Sequence, residues 1–85
     1  MEEQIKREVG NKLDKLNIWI DSVSVEKEEG NTFLRIALDA DFIIPLNTVV
    51  MATRIINPLI DKMKIELDNY ILDVYAKEKG DVINE

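Results

Sequence analysis

Apolar and polar positions alternate along this chain with two different periods, and the changes of period mark out its elements. In Glu2–Leu16, Ile5, Val9, Leu13 and Leu16 recur at helical spacing, one stripe on an otherwise charged segment. Glu2 and Glu3 fall in its first turn, where carboxylates favour a helix start. Gly10 interrupts the helix interior, either to let a strand approach or as a tolerated cost of about 1 kcal/mol against Ala. Ile18–Lys27 is rich in β-branched residues and reads as a strand, but its alternation slips once. A bulge near Asp21–Ser22 would bring Ile18, Ile20, Val23 and Val25 to one face and leave Trp19 on the other. Without it, Trp19, Val23 and Val25 share a face opposite Ile18 and Ile20.

Glu28–Asn31 carries turn chemistry, with Gly30 and Asn31 the residues suited to positive φ. Thr32–Asp39 follows as a second strand and closes a hairpin, with Leu34, Ile36 and Leu38 toward the core. Pro45 is placed at the start of a second helix that extends to about Lys62 and kinks at Pro58. Its expected buried stripe is Leu46, Val49, Val50, Thr53, Ile56, Ile60 and Met63. Asn69–Ala76 reads as a third strand, alternating Tyr70, Leu72 and Val74 with Ile71, Asp73 and Tyr75. The polar stretch 78–85 is expected to fray, leaving residues 1–77 as one domain. The order α-β-β-α-β predicts an α+β two-layer sandwich, a three-stranded sheet with two helices on one face.

Two layers leave the second sheet face uncovered. On it the pattern places Phe33, Ala37, Ile71 and Tyr75, with Trp19 if the first strand bulges. Exposed aromatic clusters of this kind mark interfaces, so these five residues are the candidate protein-binding surface. If Trp19 and Phe33 turn inward instead, the face is an ordinary one.

Three stretches resemble the N-terminal domain of the bacterial ribosome maturation factor RimP family. In Leu16–Asp39, the residues Leu34, Arg35, Ile36, Leu38 and Asp39 fit the Leu-Arg-apolar-x-apolar-Asp pattern that ends the family's hairpin. In Pro45–Asp61, the residues Leu46, Thr53, Arg54, Pro58 and Asp61 stand at matching places of its second helix. Tyr70–Val74 is similar to the family's Tyr-x-Leu-Glu-Val strand. The resemblance implies a KH-like fold, no catalytic activity and no cofactor. It also implies a role in maturing the small ribosomal subunit, with that subunit or a basic ribosomal protein as partner. Tyr75–Gly80 stands where the family has Ser-Ser-Pro-Gly, and the sequence stops before the family's C-terminal β-barrel. An N-domain alone, or a minimal diverged relative, is therefore expected.

Charge and composition narrow the chemistry. Of the 85 residues, 17 are acidic and 11 basic, a net charge of −6. Phosphate backbones repel such a surface on average, so direct nucleic-acid binding is expected to be weak or absent. A basic protein suits it better. Lys12 and Lys15 on the first helix, Arg54 and Lys62 on the second, and Lys64 after it are the candidate RNA or ribosome contact. A solvated helix face has the same composition. There is no His and no Cys, which removes Ser-His triads, thiol nucleophiles and the usual zinc ligands. Asp39 and Asp41 are either a carboxylate pair for a hard cation or the end of a solvated strand. Glu26, Glu28 and Glu29 form an acidic hairpin tip, either a soluble turn or a contact. No Gly-rich phosphate loop and no GxxG clamp occurs. Met1–Arg7 is charged throughout and the longest apolar run is Phe42–Leu46, so a cytoplasmic protein with no membrane span is expected. The alternative reading is a stand-alone interaction module, homodimeric through the open sheet face or an exposed strand edge.

Overall fold

The computed structural model describes residues 1–78. Of the tail expected to fray, 78–85, residues 79–85 lie outside the described residues. The elements follow one another as α1 (Glu2–Val9), a 3₁₀ segment (Gly10–Leu16), β1 (Ile18–Glu28), β2 (Asn31–Ala40), α2 (Leu46–Met63) and β3 (Tyr70–Ala76). The sheet order is β1-β2-β3, with β1 antiparallel and β3 parallel to the central β2. The result is the α+β arrangement expected from the pattern, in the expected order.

The first helix is two segments and not one. Ile5, Val9 and Leu13 are all fully buried, so the stripe survives the change from α to 3₁₀ winding at Gly10. Gly10 keeps an ordinary helical conformation, and a Cβ built there meets nothing within 4 Å. It therefore serves no close approach. Gly10→Ala is expected to raise stability by about 0.5–1 kcal/mol through the unfolded chain's lost freedom, read as a higher urea midpoint at unchanged slope. Asn17, at φ 61, then turns the chain into β1, its N–H donating to the Asp14 carbonyl at 2.9 Å.

The hairpin turns on Glu29 (φ 51) and Gly30 (φ 82), and Asn31 already pairs with Glu28. Two successive positive φ values give the two-residue turn whose twist matches the strands. The expected conformational role of Asn31 thus belongs to Glu29.

Asp21 is the extra residue of a β-bulge, since Ile20 pairs with Leu38 and Ser22 with Ala37. The bulge keeps Ile18, Ile20 and Val23 on the buried face despite their change of parity. Val25 shares that face but lies half-exposed farther along the hairpin.

Helix α2 departs from the expected stripe. Its buried line runs through Ala52, Ile56 and Ile60, flanked by the partly covered Val49, Ile55, Leu59 and Met63. Leu46 and Val50, expected inside, point outward. Ala52 is fully buried on that line, where so small a side chain admits close packing against the core. Pro58 lies inside a helix that continues to Met63. Proline has no N–H to donate to the Arg54 carbonyl one turn back, and Arg54 and Pro58 both lie on the exposed side of the helix.

The core is formed by Leu34, Ile36 and Leu38 of β2 against α1, the 3₁₀ segment and α2. Tyr70 begins β3 beside the core, and burial, then the charge of Asp61, raises its phenol above its ordinary 10.0.

Candidate interaction surface

With the register fixed, the uncovered face of the sheet can be laid out row by row. Glu26 of β1, Phe33 of β2 and Ile71 of β3 form one row. Ser24, Arg35 and Asp73 form the next, then Ser22, Ala37 and Tyr75. Trp19 and Asp39 form the last, extended by Lys77, whose N–H donates to the Leu38 carbonyl at 2.7 Å. All five residues of the candidate protein-binding surface therefore share this face. Trp19, Ile71 and Tyr75 are 43%, 45% and 41% exposed, and Phe33 is half-buried. Ala37 is only 3% exposed, so it is the floor of the surface and not itself a contact.

Between the apolar groups runs a network whose hub is Arg35. Its Nε donates to Asp73 at 3.0 Å, and its terminal nitrogens donate to Glu28 at 3.3 and 3.4 Å and to Glu26. The guanidinium carbon lies 4.8 Å from the centroid of the Phe33 ring, a cation–π stack. The hydrogen bond to Glu28 raises the guanidinium's pKa above its ordinary value; partial desolvation opposes this, and the charges of Glu28 and Glu26 reinforce it. One cation thus ties all three strands together on the solvent side. The two glutamates of the acidic hairpin tip that reach it are engaged, whereas Glu29 occupies the turn itself.

Lys77 makes a second cross-strand bridge, 3.5 Å from Asp21 and 4.0 Å from Asp39. Asp39 also accepts the Ala40 N–H at 2.8 Å. Asp41 lines a shallow hollow together with Asp14, Asn17, Ile18 and Trp19. Glu28, Glu29 and Asn31 line a similar hollow beside Phe33. Among the described residues no three His, Cys, Asp or Glu side chains are grouped so as to hold a metal ion.

The face carries the carboxylates of Asp21, Glu26, Glu28, Asp39 and Asp73 against the two cations Arg35 and Lys77. At one end the exposed Trp19 shares its hollow with Asp14 and Asp41, and at the other the half-buried Phe33 lies beside Glu28 and Glu29. An arginine or lysine from a partner finds there both a ring face and an anion.

The other candidate set does not assemble in the same way. Lys12, Lys15, Arg54, Lys62 and Lys64 are all exposed, and among the described residues none forms an ion pair. Lys62 lines the hollow between α1 and α2 together with Glu8, and Lys64 lines the adjoining hollow together with Glu66. A carboxylate thus accompanies each of these two, which dilutes the positive field a phosphate backbone would need.

The Arg35 hub is what the sequence pattern did not reveal. Arg35 and Asp73 both alternate outward, but only the parallel register of β2 with β3 places them side by side. No helix among the described residues is long and apolar enough to cross a membrane. No protein-family model matches the chain, and no curated protein matches it.

Proposed function

We propose that this chain is a non-catalytic docking domain in the maturation of the small ribosomal subunit, and that its open sheet face receives a basic ribosomal protein. The observation that carries this reading is the union, on one uncovered face, of exposed Trp19, Ile71 and Tyr75 with five carboxylates against two cations. Aromatic anchors in an acidic surround suit a cationic polypeptide and repel phosphate. The resemblance of the hairpin, α2 and β3 sequences to the RimP N-domain supplies the ribosomal context. Self-association through the same face is disfavoured, because it sets carboxylates against carboxylates.

Two measurements test the proposal. The chain is expected to co-sediment with immature small-subunit particles and not with whole ribosomes. Immobilised, it is expected to retain one or a few basic proteins from a dissociated small subunit, and to release them as salt rises. Binding to neither particles nor small-subunit proteins would overturn the reading.

A further inference from the structure

The two hollows at the ends of the open sheet face have the same chemical make-up. Phe33 shares one with Glu28, Glu29 and Asn31, and Trp19 shares the other with Asp14, Asp41 and Asn17. Each joins one aromatic ring, two carboxylates and one asparagine amide. Trp19 pairs with Asp39, six residues from Phe33 along β2, so the hollows lie about 20 Å apart at the rise of a strand. One arginine cannot serve both.

At the Phe33 end the chain supplies its own cation. The Arg35 guanidinium carbon lies 4.8 Å from the ring centroid, and its terminal nitrogens donate to Glu28. The Trp19 end has no such occupant. Among the described residues Asp14 and Asp41 form no ion pair. Lys77, in the same row as Trp19, is held by Asp21 and Asp39 and does not line the hollow. Nor does Lys15, next to Asp14 in sequence. Asp14 comes from the 3₁₀ segment, Trp19 from β1 and Asp41 from the connection after β2. Tertiary structure, and not local sequence, brings the three together.

We infer that the Trp19 hollow is a guanidinium site, which takes one arginine side chain of a basic partner in the way that Phe33 takes Arg35. This rests on the proposed docking of a basic polypeptide at the open face and names the side chain that anchors it. Arginine suits the hollow better than lysine does. A planar, weakly hydrated guanidinium stacks on a ring while its edge donates to carboxylates. An ammonium is a compact, strongly hydrated charge without that flat face.

Titration with N-acetyl-arginine methylamide, and with the lysine analogue as control, tests the inference. Trp19 is the chain's one tryptophan, so its fluorescence and its indole N–H resonance report on this hollow alone. The expected result is saturable binding of the arginine compound, with a dissociation constant on the order of 1–10 mM for so small a ligand. The lysine compound is expected to bind at least about threefold more weakly. The double variant Asp14→Asn/Asp41→Asn changes two exposed positions. It is expected to weaken arginine binding at least about fivefold with an unchanged circular-dichroism spectrum. Equal responses to the two compounds, a response that never saturates, or a double variant that binds like the parent would each overturn the inference. Retention of small-subunit proteins alongside such a result would leave the docking proposal standing without this site. Arginine saturating at Trp19 with no small-subunit protein retained would support the site and overturn the ribosomal partner alone.

Discussion

Ile36→Ala is expected to cost about 3–4 kcal/mol of stability. Ile36 lies at the centre of the central strand, fully buried, with Val23 beside it on β1 and Val74 on β3. The cavity left by its truncation is walled by both neighbouring strands and covered by helices, so it has little freedom to collapse. A domain of this size has a total stability of only about 4–13 kcal/mol at 0.05–0.15 kcal/mol per residue. One substitution therefore removes a quarter or more of the whole. The control is Ile71→Ala, an exposed residue on the opposite face, expected to cost under about 1 kcal/mol. Urea unfolding of both variants checks the pair. An Ile36→Ala loss below about 1 kcal/mol, or equal losses at the two sites, would show that the sheet's covered face has been misplaced.

How far the sequence specifies this arrangement differs from element to element, for physical reasons. In β2 the alternation of Leu34, Ile36 and Leu38 with charged or small residues admits one orientation, and the pattern alone gives it. In β1 the parity slip admits two. Only pairing against β2 selects the bulge at Asp21, and with it the placement of Trp19 on the open face. In α2 the apolar residues exceed what one sheet face can cover, so periodicity cannot choose which line is buried. Tertiary packing chooses the line through Ala52 and leaves Leu46 and Val50 exposed. The open-face residues follow from strand alternation once the register is known. The Arg35 hub needs that register across two pairings, one of them between strands separated by a whole helix.

The same face yields the largest expected effect on binding. Trp19→Ser is expected to weaken association with the basic partner proposed above by at least about 30-fold, the roughly 2 kcal/mol that defines an interface hot spot. Trp19 has the area of an aromatic anchor, stands 43% exposed at the edge of the sheet, and shares a hollow with Asp14 and Asp41. A cationic side chain seated there meets the indole face and two carboxylates together, a combination that serine cannot reproduce. Folding is expected to survive, because Trp19 lies on the face opposite the core and its paired residue, Asp39, is held by other groups. Asp41→Lys should act through charge instead, slowing association and flattening its salt dependence while leaving the indole in place. Titration of the chain and its two variants against the retained basic protein, at low and at raised salt, separates these effects. If Trp19→Ser binds like the parent while charge reversal at Arg54 or Lys62 abolishes binding, the partner docks on the helical layer and the open sheet face is not its site.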